Sequence, residues 1–179
     1  MMRILIVVVL FFSCGFCLAE DFPEDTNEIK SLTAEQAADL ALIVKHARKK
    51  NVLYLFNLAS INKDVAHELA KFKGQLALGL TSINKDVAQE LVKFKRFLDL
   101  NFLTSIDKDV AHELAKFKGT LNLGGLKSID KDVAQELAKF KGELRLYGLT
   151  SIDEVSLASL KSNARITLVV PRQPKAKTD

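Results

Sequence analysis

Tryptophan is absent from this sequence, and cysteine, proline and tyrosine are rare, with two, three and two residues among 179. Both cysteines, Cys14 and Cys17, lie within the first 19 residues. Residues 20–179 therefore cannot form a disulfide or use a thiol as a nucleophile. The sequence also has no phosphate-binding loop, dinucleotide fingerprint or Gly-x-Ser-x-Gly elbow. We predict a protein without catalytic residues and without a cofactor.

The chain has little net charge and begins with an apolar run. Its 26 basic and 22 acidic residues give a charge of +4, an excess too small to indicate a dedicated nucleic-acid binder. Residues 4–12 are uniformly apolar, Arg3 precedes them, and Cys17, Leu18 and Ala19 provide the small residues that signal peptidase recognises. This pattern predicts a signal peptide over residues 1–19 and an exported protein, secreted, periplasmic or associated with the cell envelope.

Two alternatives to simple cleavage follow from the same segment. An uncleaved anchor is disfavoured because the apolar run is too short to span a bilayer, so we expect no membrane-spanning segment after cleavage. Lipid modification of a cysteine is the second alternative, although Phe11, Phe12 and Ser13 are poor neighbours for a lipidated Cys14.

The segments beyond the leader differ in composition. Residues 20–30 are acidic and contain Pro23, and they predict a flexible lead-in. Thr33 and Gln36 form a capping-box pattern that predicts a helix within residues 31–51, acting as the amino-terminal cap of a repeat array over residues 31–170. The basic segment 171–179 predicts a disordered tail.

An internal repeat dominates the array. The dipeptide Ser-Ile recurs at steps of 22, 23, 23 and 23 residues, at Ser60, Ser82, Ser105, Ser128 and Ser151. A fixed period of this size is typical of a solenoid, in which each repeat is one supersecondary unit stacked on the next. One repeat alone cannot bury enough apolar surface to offset the conformational entropy of folding, so neighbouring repeats must cover one another.

Each repeat combines a strand pattern with a helix pattern. Leucines alternate with other residues in six short segments, and residues such as Val133, Leu137 and Phe140 follow at helical spacing. Four residues are predicted N-caps: Asn62, Asn84, Asp107 and Asp130. The predicted last helical turns contain Lys73, Lys95, Lys118 and Lys141. Glycine follows as a predicted helix stop at 74, 119 and 142, and Arg96 replaces it once, which predicts some local strain or an altered helix exit there.

The segment Leu144-x-Leu146-x-x-Leu149, followed by a helix, resembles the leucine-rich repeat family, and especially its short bacterial tandem arrays. The resemblance covers residues 53–168. It implies an α/β solenoid with about six parallel strands on the concave face and helices on the convex face. It also implies a non-catalytic scaffold that binds another protein.

Candidate binding residues lie between the strand leucines, where the copies differ in size and charge. Such variation suits a concave surface that binds one protein partner, with aromatic and arginine anchors. The predicted partner-binding residues are Tyr54, Phe56, Phe97, Asp99, Asn101, Asn122, Arg145 and Tyr147.

Lysine pairs provide an alternative hypothesis. They recur as Lys71/Lys73, Lys93/Lys95, Lys116/Lys118 and Lys139/Lys141, and could bind an anionic polymer of the cell envelope through a basic stripe. A solvated helix surface is the simpler interpretation, because acidic residues recur nearby. Self-association through the edge strand at residues 166–170 is a third possibility.

Metal binding is not expected. The Asp-Lys-Asp segments at 107–109 and 130–132 fit helix capping better than coordination, since they lack the other elements of a calcium loop. His67 and His112 occupy the same helix position two repeats apart, about 20 Å by helix-packing distances, which is too far for one metal ion.

Overall fold

A computed structural model describes residues 26–46 and 52–168 of the chain. The predicted signal peptide at 1–19 and the predicted tail at 171–179 lie outside these residues, as does the first part of the predicted lead-in. Within them, six α-helices alternate with six β-strands, and a 3₁₀ helix at Thr26–Glu28 precedes them all.

The elements have the following bounds. The helices are α1 Ala34–His46, α2 Lys63–Ala70, α3 Lys85–Leu91, α4 Lys108–Leu114, α5 Lys131–Leu137 and α6 Glu154–Lys161. The strands are β1 Val52–Leu55, β2 Gln75–Leu78, β3 Phe97–Asp99, β4 Thr120–Asn122, β5 Glu143–Leu146 and β6 Ile166–Leu168. Each strand from β1 to β5 forms one repeat with the helix after it, so repeat 1 is β1 with α2.

The six strands form one parallel sheet in chain order, β1 to β6. Pairing is in phase with the repeat: Leu76 of β2 is opposite Leu53 and Leu98, and Leu121 is opposite Leu98 and Leu144. An all-parallel sheet in sequential order, with a helix in each connection, is what the alternating strand and helix patterns predicted. This α/β repeat architecture is compatible with a solenoid.

The core lies between the sheet and the helix layer. In β1, Leu53 and Leu55 are fully buried while Tyr54 between them is exposed, because successive strand side chains point to opposite faces. The inward strand leucines join the helix residues in one apolar cluster, to which a central helix such as α4 contributes Val110 and Leu114. The helices therefore cover one face of the sheet and leave the other uncovered.

The predicted N-caps are confirmed. Each has an extended backbone, and its side-chain oxygen accepts a hydrogen bond of 2.7 to 2.9 Å from the backbone N–H three residues later. Asp153 caps α6 in the same way. These bonds satisfy donors that a helix start leaves without a partner.

The central helices end earlier than predicted, and the assignment of four lysines to the last helical turn was wrong. Lys73, Lys95, Lys118 and Lys141 lie in the loops after the helices. The cause is the phenylalanine between the two lysines of each pair, as Phe117 shows. Its backbone N–H donates to the Leu114 carbonyl at 3.0 Å, which closes a tighter turn than that of an α-helix. This turn directs the Phe117 ring into the core, where it is fully buried.

At two of the glycines after these loops, Gly119 and Gly142, the backbones of neighbouring repeats approach closely. A Cβ at Gly142 would lie 2.0 Å from the Gly119 carbonyl oxygen, and one at Gly119 would lie 2.1 Å from the Arg96 carbonyl oxygen. The glycines thus permit the repeats to stack. The altered helix exit predicted near Arg96 was wrong, since Phe94 makes the same turn bond to Leu91 at 3.0 Å.

The two ends of the sheet differ. At the amino-terminal end, the capping box is confirmed by bonds of 2.9 and 3.2 Å between Thr33 and Gln36. The described residues of the predicted lead-in contact the array, since Ile29 is buried and the Thr26 hydroxyl donates to the Tyr54 carbonyl at 2.6 Å. At the other end, β6 pairs with β5 alone among the described strands, and Ile166 is half-buried. No helix in the described part of the chain is long and apolar enough to cross a membrane.

Candidate functional site

The candidate site is the exposed sheet face, the side of the sheet opposite the helix layer, together with the turns that leave the strands. All eight residues predicted to bind a partner are exposed or half-buried: Tyr54, Phe56, Phe97, Asp99, Asn101, Asn122, Arg145 and Tyr147. Contacts divide them into an aromatic part near β1 and a polar part along β3, β4 and β5.

The aromatic cluster consists of Tyr54, Phe56 and Phe102. The ring centroids of Tyr54 and Phe56 are 5.4 Å apart, and those of Phe56 and Phe102 are 5.6 Å apart. The three residues remain 41%, 36% and 45% exposed. A contiguous patch of exposed rings is typical of an interaction surface, because removal of water from such rings is favourable.

The contact between Phe56 and Phe102 depends on a short repeat. These residues belong to repeats 1 and 3, so their rings meet across repeat 2. Repeat 2 has the 22-residue step between Ser-Ile markers, and it carries Gly79, where a Cβ would lie 1.7 Å from the Phe56 carbonyl oxygen. The glycine thus allows the backbone of repeat 2 to approach that of repeat 1 beside the ring contact.

Phe102 was not among the predicted site residues. Period-two alternation through β3 selects residues 97, 99 and 101, and Phe102 falls outside that pattern. The sequence nevertheless contains an indication of this contact. Repeat 2, which has the 22-residue step, lies between two repeats that each carry a phenylalanine after the strand, Phe56 and Phe102.

The polar part is held by hydrogen bonds within the chain. Asp99 Oδ1 accepts from the Asn101 backbone N–H at 2.9 Å and from Asn122 Nδ2 at 3.0 Å. Asn122 Oδ1 in turn accepts from the Gly124 backbone N–H at 3.1 Å. These predicted site residues therefore also fix the turns after β3 and β4 and connect two repeats.

Arg145 is positioned by two neighbours. Its Nε donates to Glu143 Oε1 at 2.8 Å, and its guanidinium lies 5.6 Å from the ring centroid of Phe97. The bond to Glu143 raises the pKa of Arg145 above its ordinary value, so the guanidinium stays charged. Tyr147, two residues on, is 45% exposed. This end of the face thus offers a fixed cation beside two aromatic rings.

The helix layer carries charges that pair with one another. Lys93 donates to Glu90 at 2.6 Å, Lys116 to Glu113 at 2.6 Å and Lys139 to Glu136 at 2.8 Å. These bonds lower the pKa of each glutamate below its ordinary value. The three glutamates are buried, at 5 to 8% exposure.

Further bonds connect one repeat to the next along this layer. His67 Nδ1 lies 2.8 Å from Glu90, and His112 Nδ1 lies 2.9 Å from Glu136. The glutamine that replaces histidine in repeat 2, Gln89, donates to Glu113 at 3.3 Å. The histidines are therefore partners of buried carboxylates, in addition to being partly solvated helix residues as predicted.

The basic edge is the row of cations in the loops that run from each helix to the next strand. Between α2 and β6 these loops contain ten basic residues and no Asp or Glu. The residues are Lys71, Lys73, Lys93, Lys95, Arg96, Lys116, Lys118, Lys139, Lys141 and Arg165. The first lysine of each pair bonds to a helix glutamate, as Lys71 does to Glu68 at 2.7 Å. The predicted stripe therefore consists of a first row bonded to the helices and a second row that comes just before the strands.

Residues 26–46 and 52–168 contain no group of three or more His, Cys, Asp or Glu side chains that could hold a metal ion. The second aspartates of the Asp-Lys-Asp segments bond to lysines of the preceding repeat, Asp109 to Lys85 at 3.5 Å and Asp132 to Lys108 at 3.1 Å. Comparison of the chain with protein-family models, curated proteins and solved structures gave no significant match.

Proposed function

We propose that this chain is an exported leucine-rich-repeat solenoid that acts without catalysis, as a module that binds another protein through the exposed sheet face. In this proposal the sheet forms the concave side and the helix layer the convex side. The repeat spacing, the Leu-x-Leu strands and the parallel sheet support the family assignment. The aromatic cluster is the observation that carries the binding proposal.

The aromatic cluster suits a protein partner because it can supply binding energy at low entropic cost. Tyr54 and Phe102 are each more than two-fifths exposed, yet each contacts Phe56. Rings that already contact one another lose little freedom on binding, and aromatic residues are enriched among those that dominate interface energies. Arg145, fixed between Glu143 and Phe97, provides a second anchor that favours an acidic group on the same partner.

Partner capture tests this function. The chain without residues 1–19 is immobilised, exposed to an envelope fraction of the source cell, and compared with the double variant Phe56→Ala/Phe102→Ala. An authentic partner should lose about thirtyfold in affinity, the effect of removing one interface hot spot. A second double variant, Arg145→Ala/Tyr147→Ala, tests the other anchor and should weaken the same partner.

Val155→Ala is the matched control, because Val155 is a 57% exposed apolar residue of α6, on the helix layer. It should leave capture unchanged. Circular dichroism checks that all variants fold. If both double variants bind the partner as tightly as the parent chain, the exposed sheet face is not the binding surface.

Export is tested separately. Expression of the full chain in the source cell should give a mature protein that begins at Glu20, as read by mass spectrometry of its amino terminus. Recovery of the uncleaved chain from the cytoplasm would contradict the proposal of export, but it would leave the proposal for the binding face unchanged.

A further inference from the structure

We propose that the basic edge binds a phosphate-bearing polyanion, anchored in a pocket between repeats 1 and 2, where the loops that follow α2 and α3 meet. The pocket has a volume of about 620 Å³, and five cations line it around Ala70 and Phe72. The five cations are Lys71, Lys73, Lys93, Lys95 and Arg96. This site is distinct from the exposed sheet face and would take a ligand of different chemistry.

The charge of the pocket is not cancelled by its own lining. No carboxylate is among its lining residues, and the last glutamates of the two helices before it, Glu68 and Glu90, each bond to one lysine, Lys71 and Lys93. The negative ends of the helix dipoles also point to this edge and offset part of its charge. In the part of the chain that the structure describes, Lys95 and Arg96 add two cations beyond these two ion pairs, so the lining is net positive and attracts a multivalent anion.

Arg96 is the residue that distinguishes this pocket from the equivalent loops. The other copies have glycine at the same position, residues 74, 119 and 142. The backbone role is shared: the Arg96 carbonyl accepts from Thr120 N–H at 3.1 Å, as the Gly119 carbonyl accepts from Glu143 N–H at 3.1 Å. The exposed guanidinium is therefore not needed for stacking, and its planar group of donors matches the oxygens of a phosphate.

The shape of the edge favours a polymer over a membrane. Beyond the pocket, a lysine pair recurs in each of the next two loops and Arg165 lies in the last, so cations recur in successive repeats. The phenylalanines of these loops are buried: Phe72, Phe94, Phe117 and Phe140 are at most 5% exposed. The edge thus has no exposed aromatic ring to insert into lipid, whereas a chain of phosphates can contact several loops at once.

Fluorescence anisotropy with labelled linear polyphosphate tests the site, using the chain without residues 1–19. We expect saturable binding that weakens steeply as salt is added. Arg96→Gln and Arg96→Gly should each reduce affinity about tenfold, as expected for loss of a charge-assisted contact. Arg96→Gly also restores the residue found in the other copies, so a folding defect is not expected.

Lys131→Gln is the matched control, since Lys131 is an exposed lysine at the opposite, amino-terminal end of a helix and its loss changes net charge equally. It should change affinity less than twofold. Equal effects of Lys131→Gln and Arg96→Gln would overturn the pocket as the anchor. Inorganic phosphate bound as tightly as the polymer, or anionic phospholipid vesicles bound more tightly, would overturn a polymer as the ligand.

Discussion

The helix layer repeats the same contacts from copy to copy, whereas the exposed sheet face changes at every step. On the helix layer, each of α2 to α5 has a capped start, a buried valine and leucine, and at its carboxyl end a glutamate paired with a lysine of the following loop. On the sheet face, the residue between the two strand leucines changes along the series Tyr54, Ala77, Asp99, Asn122 and Arg145.

The difference follows from what each side contacts. A central helix packs between two helices of nearly identical sequence, so the same side chains satisfy the same neighbours in each repeat. Within residues 26–46 and 52–168, the outward strand residues have no second layer to pack against, and their identity is less constrained by folding. Substitutions on the helix side should therefore cost stability, and those on the sheet face should mainly affect binding.

Phenylalanine truncation should show this contrast most strongly. Phe117 is fully buried and its ring centroid lies 6.4 Å from that of Phe140, so Phe117→Ala should lower the free energy of unfolding by about 3 to 5 kcal/mol. Phe102→Ala on the sheet face should cost less than about 1 kcal/mol, because that ring is already 45% exposed. Urea denaturation measures both, and similar losses would refute the division between the two sides.

Removal of one buried charge should have the next largest effect. Glu113 is buried, accepts from Lys116 at 2.6 Å and from Gln89 at 3.3 Å, and Glu113→Gln should cost about 1 to 2 kcal/mol at pH 7. Glu68→Gln, which breaks a similar pair with Lys71 at a more exposed site, should cost less than about 0.5 kcal/mol.

The stability lost in Glu113→Gln should depend on pH. The bond from Lys116 lowers the pKa of Glu113 in the folded chain, so the unfolded chain binds the proton more tightly. The stability from this carboxylate is fully present above its unfolded pKa, about 4.3, and is lost as pH falls through the lower folded value. Urea midpoints of the parent and Glu113→Gln should therefore converge in acid, and a constant gap would contradict this assignment.

The sequence alone predicted what depends on local pattern and on period. Asn62 and Asp107 were predictable caps because capping needs only a side chain and the next three backbone groups. The helix ends were missed because burial of Phe117, a tertiary effect, ends α4 before the lysines. Phe102 was missed because its contact with Phe56 depends on how three repeats stack, which a one-dimensional spacing does not show.

Loss of one helix cap should lower the free energy of unfolding by less than loss of the buried charge does. Asp107 Oδ1 accepts from the Val110 backbone N–H at 2.7 Å, and Asp107→Ala should destabilise the chain by about 1 kcal/mol. Asp107→Asn should be nearly neutral, since Asn62 and Asn84 make the same bond in repeats 1 and 2 at 2.9 Å. Thermal unfolding of both variants measures the difference, and an equal loss would show that the charge, and not the cap bond, matters.

Coupling within the aromatic cluster should be the smallest of these effects. A double-mutant cycle on Phe56→Ala and Phe102→Ala should give an interaction free energy of about 0.5 kcal/mol, measured from the free energies of unfolding. This value is at the lower end for an aromatic pair, because both rings remain partly in water. A control cycle that pairs Phe56 with Tyr147, which follows β5 at the other end of the sheet, should give no interaction free energy. Insertion of one residue after Gly79, which restores the 23-residue step, should remove the first coupling by separating the rings. If it persists, the short turn of repeat 2 is not what brings the rings together.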